Sequence, residues 1–107
     1  MSDPARVADR TLWRQRMAGN DKKGILRALN GVIERTPIYE ELERVSLPTL
    51  ILVGDEDVAT VPAKAQSIHE AIPSSRLVTI PHAGHTSSVE QPQAVTAAIE
   101  EFLASFM

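Results

Sequence analysis

Pro48-Thr49-Leu50-Ile51-Leu52-Val53-Gly54-Asp55-Glu56-Asp57 is the stretch on which the fold turns. A nearly continuous apolar run lies between a proline and a glycine, and an acidic cluster follows at once. Such a run suits a strand buried on both faces, as strands of a parallel sheet are. Downstream, Pro62 to Ile72 reads as a helix with Thr60 as its cap and Ala65, Ile68 and Ile72 facing inward. Arg76 to Ile80 reads as a second strand, ended by Pro81. Pro92 then opens a last helix on which Val95, Ile99, Phe102, Leu103 and Phe106 form one apolar stripe. Strand, helix, strand, helix predicts an α/β fold, with a right-handed parallel β-α-β-α unit over residues 45–107.

Upstream of Val45 the pattern is helical throughout. Asp3-Pro4 has the form of a helix start, with aspartate as cap and proline at the first helical position, where a missing N–H costs nothing. The helix should run to about Met17 and stop at Gly19-Asn20. Asp21 caps a second helix through about Glu34, whose Ile25, Leu26, Leu29, Val32 and Ile33 share one broad face. Thr36-Pro37 breaks it, and Tyr39 to Arg44 suits one short turn of helix. The expected division is therefore a helical segment over 1–44 and the β-α-β-α unit over 45–107. Internal repeats and low-complexity tracts are absent from the sequence.

Composition narrows the function. The 107 residues are 43% apolar, ordinary for a folded soluble protein, and the formal net charge is −3. That balance leaves no excess of lysine and arginine to neutralise phosphates, so a nucleic-acid partner is not expected. The chain has no cysteine, which rules out disulfides, thiolate metal sites and a cysteine nucleophile, and fits the cytoplasm. Met1-Ser2-Asp3-Pro4 lacks the basic start and apolar run of a signal peptide. No apolar stretch approaches the ~20 residues that span a bilayer, so no membrane partner is expected.

In an open parallel sheet, reactive groups gather just beyond the carboxyl ends of the strands. Here Gly54-Asp55-Glu56-Asp57 follows the first strand and Pro81-His82-Ala83-Gly84-His85 follows the second. Adjacent parallel strands would bring both loops to one edge, where a carboxylate can meet an imidazole. A carboxylate there fixes the ring tautomer and stabilises imidazolium, which general-base activation of a hydroxyl requires. Each residue has a plainer reading. The three acids also suit a solvated turn. Nothing supports a metal site, since calcium-loop spacing and paired histidines are both missing. His82 is expected on the loop surface and His69 on an exposed helix face. Ser87 and Ser88, with Glu90 and Gln91 three residues on, read as caps. Trp13 and the stripe of the second helix read as core or interface.

The residues at 48–57 resemble the seventh strand and acid loop of the α/β-hydrolases. Ala83-Gly84-His85, with Glu90, Pro92 and the terminal amphipathic helix, resembles that family's histidine loop and last helix. The resemblance implies that Asp57, not Asp55, is the acid, and that His85, not His82, is the base. It implies no cofactor. Residues 5–44 resemble the end of a helical cap, and the nearest flavour is that of small esterases and enol-lactonase-like hydrolases. One departure is large: none of the serines, at 2, 46, 67, 74, 75, 87, 88 and 105, lies in a Gly-x-Ser-x-Gly elbow. The resemblance therefore implies a truncated ester or lactone hydrolase that holds acid and base, lacks the nucleophile and is inactive alone. Two alternatives stand beside it: a non-catalytic self-associating or partner-binding module, and half of a split hydrolase whose serine comes from a separate chain. A homodimer is expected, because the resemblance implies that the 48–53 strand has lost a neighbour, and an apolar strand with a free edge invites pairing.

Overall fold

A computed structural model describes residues 3–107. It has two compact units, Tyr39–Met107 and Ser2–Ile38, the latter described from Asp3 on. The smaller unit opens with a 3-10 turn, Pro4–Arg6, whose cap Asp3 accepts the Ala5 N–H. It continues as helix α1, Val7–Ala18. Helix α2, Lys22–Glu34, begins where Asp21 accepts the N–H groups of Lys23 and Gly24. Asp21 starts α2 as expected, whereas Asp3-Pro4 opens a 3-10 turn and α1 itself begins at Val7, with Arg6 at its cap position and no side-chain cap bond; each aspartate satisfies donors that a first turn leaves orphaned.

The larger unit begins with the single helical turn α3, Tyr39–Leu42, six residues before the change in composition near Val45. Strand β1 is Thr49–Gly54, helix α4 Pro62–Ala71 and strand β2 Ser75–Ile80. A short helix α5, Ser87–Glu90, precedes α6, Pro92–Ala104. The two strands pair in parallel, from Thr49 against Ser75 to Gly54 against Ile80, so both end at the same edge. Helices α4 and α6 both pack on the sheet. Ile80, Ala83 and Val95 form the centre of the core, with Leu52, Val78 and Ala94 against them. Leu52, Val78 and Ile80 share one sheet face because strand side chains alternate; α6 covers that face through Val95. Val53, Ala65 and Ile72 are buried on the crossover side. At the far end of α6, Phe102 meets Phe106 edge to face and the Arg76 guanidinium lies over the Phe102 ring.

Three local expectations are corrected. Thr60 does not cap α4: the cap position is Val61, without a side-chain hydrogen bond, and Pro62 opens the helix. Ser87 and Ser88 are not caps either. They lie inside α5, whose cap position is Thr86. His69 is half-buried rather than exposed, because its Nδ1 lies 2.7 Å from Ser75 Oγ at the start of β2.

Candidate functional site

The loops that follow β1 and β2 are stitched together before any reactive side chain is considered. The Asp55 N–H donates to the Ile80 carbonyl at 3.0 Å and the Glu56 N–H to the Ala83 carbonyl at 2.9 Å. In return, the Ala83 N–H donates to Asp55 Oδ1 at 3.3 Å. Gly54 makes this closeness possible: a Cβ at that position would collide with the backbone carbonyls of Ala83 and Gly84. His82 bends the second loop with φ of 55°, a left-handed conformation that histidine adopts more readily than most side chains. Its ring is exposed, as expected, and its carbonyl accepts from Gln91 Nε2.

The stitched loops bring together two residues 28 positions apart. Asp57 Oδ2 lies 3.0 Å from His85 Nδ1. Asp57 is 6% exposed, whereas the His85 side chain is 63% exposed, so the acid is enclosed and the ring's other side is open. Asp55, the rejected candidate, is exposed and turned to the Ala83 N–H.

Asp57 is held by four donors. Oδ1 accepts the N–H groups of Ala59 and Thr60, at 3.0 and 2.9 Å. Oδ2 accepts the Thr60 hydroxyl at 3.0 Å as well as the histidine. Burial by itself would raise this carboxyl's pKa. The hydrogen bonds from the Thr60 N–H, His85, the Thr60 hydroxyl and the Ala59 N–H outweigh it and hold the group at about 2, against 3.8 ordinarily. At neutral pH Asp57 is thus an ionised, acceptor-only group. A ring nitrogen 3.0 Å away is attracted to it only as an N–H donor, so in the neutral form of the ring the proton belongs on Nδ1 and the lone pair on Nε2. Among the described residues, Nε2 has no hydrogen-bond partner.

Glu90 fastens the histidine loop from below. It is 4% exposed, and its Oε2 accepts the Gly84 N–H at 2.9 Å and the Thr86 hydroxyl at 3.1 Å. His85 is therefore pinned at both neighbours. Sequence reasoning missed two roles here. Glu90 reads only as a capping partner of Ser87 and as part of the resemblance, and nothing local signals that it reaches back to 84 and 86. Thr60 has two possible duties in a Thr-x-Pro setting, and capping was the more ordinary one. Among the described residues no three His, Cys, Asp or Glu side chains converge to hold a metal ion. No helix among them is long and apolar enough to cross a membrane.

Residues 31–105 match the family model of TAP-like proteins, a branch of the α/β-hydrolases. The chain belongs to the α/β-hydrolase family. A proposed 2-succinyl-6-hydroxy-2,4-cyclohexadiene-1-carboxylate synthase of Bacillus subtilis is 34% identical over 80% of this chain, a span that is 32% of that protein. Among solved structures, a malate-bound esterase from Thermogutta terrifontis is 41% identical over 70% of this chain and 28% of its own, with a TM-score of 0.66. An α/β-hydrolase enzyme from a deep-sea metagenome, MGS-M2, aligns with 94% of this chain and 40% of its own at a TM-score of 0.66. Its identity is 24%, so it bears on the fold alone. The chain spans about a quarter to a third of the curated relatives it matches. Its two parallel strands and flanking helices make up a part of the α/β-hydrolase fold.

Proposed function

We propose that this α/β-hydrolase chain supplies the acid, Asp57, and the base, His85, of an ester- or lactone-cleaving triad, and does not turn over substrate alone. The observation that carries the reading is the 3.0 Å contact between Asp57 Oδ2 and His85 Nδ1, with the ring otherwise open. In such a triad Nε2 takes the proton of a serine hydroxyl as its oxygen attacks the acyl carbon. Asp57 stabilises the imidazolium, which then gives the proton to the leaving alkoxide. The 41% identity to an esterase favours an ester over other acyl substrates. No serine of the chain stands in the strained elbow that exposes such a nucleophile, and among the described residues no serine bonds His85. Nucleophile and oxyanion hole work as a unit with the base, so their joint loss leaves almost no rate.

Two assays test this. The purified chain should hydrolyse p-nitrophenyl acetate no faster than its His85→Ala variant; turnover above that control, abolished by replacing one serine, would refute inactivity. Residues 39–107, grafted over the matching segment of the Thermogutta esterase, should give an active chimera that loses about 10³-fold or more with His85→Ala. A folded chimera that is inactive with its own serine intact would refute the acid and base roles.

A second reading has its own support. Among the described residues β1 is hydrogen-bonded on one side alone, and Leu50, Ile51 and Leu52 are only half-buried. An apolar strand with a free edge pairs readily with another chain. We propose self-association through this edge, as a homodimer, in the absence of a nucleophile-bearing chain that would occupy it. Light scattering at micromolar concentration should return twice the monomer mass; a monomer mass with 50–53 amides protected from exchange would refute it.

A further inference from the structure

Thr60 Oγ1, Asp57 Oδ2 and His85 Nδ1 stand at the corners of a small triangle. The hydroxyl is 3.0 Å from the carboxylate oxygen and 3.2 Å from the ring nitrogen, and the last two are 3.0 Å apart. Thr60 also donates its backbone N–H to the other carboxylate oxygen at 2.9 Å. One residue therefore grips both oxygens of Asp57 and faces the proton that Asp57 shares with His85.

We infer that Thr60 is a positioning residue of the acid–base pair, whose hydroxyl biases His85 toward the Nδ1–H tautomer. The inference rests on the reading of Asp57 and His85 as a functional pair. Its logic is a count of donors. With the proton on Nδ1, Oδ2 receives two hydrogen bonds, from the ring and from the hydroxyl. With the proton on Nε2, the Nδ1 lone pair faces two oxygens, and the only relief is for the Thr60 hydroxyl to turn from Oδ2 to Nδ1. That turn exchanges a bond to a charged acceptor for one to a neutral acceptor and strips Oδ2 of both donors. Bonds to charged groups are roughly twice as strong as neutral ones. The hydroxyl thus widens the gap between tautomers beyond what Asp57 achieves alone, by about fivefold in the tautomer ratio. The favoured tautomer is the one that leaves Nε2 free to accept a proton.

Valine at position 60 keeps the backbone N–H and the shape of the side chain while removing the hydroxyl. The test compares ring ¹⁵N shifts of the neutral His85 ring in the full chain. Thr60→Val should lower the Nδ1–H to Nε2–H ratio by about fivefold, and Thr60→Ser should restore it. The Asp57 carboxyl, followed by ¹³C shift, should titrate above its value near 2 in Thr60→Val and near it in Thr60→Ser. Thr60→Ala serves as a second hydroxyl-free variant. An unchanged ratio in both hydroxyl-free variants, with Asp57→Asn shifting it, would overturn the role of Thr60 and leave the pair standing. An unchanged ratio in Asp57→Asn as well would overturn the pair and Thr60 together.

Discussion

The units Ser2–Ile38 and Tyr39–Met107 start from local signals of equal quality and reach different ends. In the smaller one, Asp3 caps a 3-10 turn, Asp21 caps α2 and α2 has an apolar face, yet every described residue remains at least partly exposed. Ile25, Leu29 and Val32 are each about half-exposed. In the larger one, α4 and α5 begin without a side-chain cap, and still Val53, Ile80, Ala83 and Val95 are buried. Caps and periodicity shape a helix at about 1 kcal/mol each, whereas an interior needs partners distant in sequence. The parallel pairing of β1 with β2 supplies those partners, and the Asp57–His85 pair is found where it does.

The comparison is most sharply broken at Ile80, which is 1% exposed. Ile80→Ala should cost about 3–4 kcal/mol, measured by urea denaturation, and leave the helical circular dichroism of α1 and α2 in place. A loss of all helical signal in one transition would mean that the units unfold together. Gly54→Ala is the next step down, at about 2–3 kcal/mol, because the new Cβ must push the Ala83–Gly84 backbone away. Its local consequence is larger than its cost: the Asp57–His85 contact should disappear from NMR spectra.

Acidity sharpens the same contrast. Asp57 is held at about 2 in the folded chain against 3.8 ordinarily. The stabilisation is therefore complete above pH ~4 and is lost as pH falls from about 3.8 toward 2. Urea midpoints of the native chain should fall more steeply across that window than those of Asp57→Asn. Equal slopes would show that the carboxylate is not specially held. The smallest effect belongs to α2. Leu29→Ala should change stability by no more than about 0.5 kcal/mol, since its side chain is half-exposed. A much larger effect that grows with protein concentration would identify that face as an interface between copies.

Much of this was legible in the residues. The Pro48–Gly54 run announced β1, and two strand ends with suitable side chains announced the meeting of Asp57 and His85, because parallel strands end at one edge. The start of α2 was legible because the Asp21 cap acts within three residues. What the sequence hid depends on contacts across the fold. His69 is half-buried by Ser75, Gly54 is required by the Ala83 carbonyl, and Glu90 is buried by the loop it fastens. Thr60 was misread because a hydroxyl before a proline-led helix has a ready local use, and the carboxylate that claims it is itself placed by a turn. The helix α5 is four residues long and lacks a side-chain cap, so periodicity could not signal it, and the capping pattern of Ser87 and Ser88 points to a start one or two residues too late.

The register of β1 against β2 has a kinetic consequence. Each stitch between the two loops joins residues separated by the whole crossover, as Asp57 and His85 are, 28 positions apart. No hairpin-like intermediate can form one stitch ahead of the others. Loop closure of that length costs entropy before any contact returns it, so the strands, α4 and both loops should order in a single event. The amides of Asp55, Glu56 and Ala83 would then exchange with solvent through one common opening rather than three local ones. The acid and base are thus paired whenever this unit is folded and strangers whenever it opens, with no half-built site between.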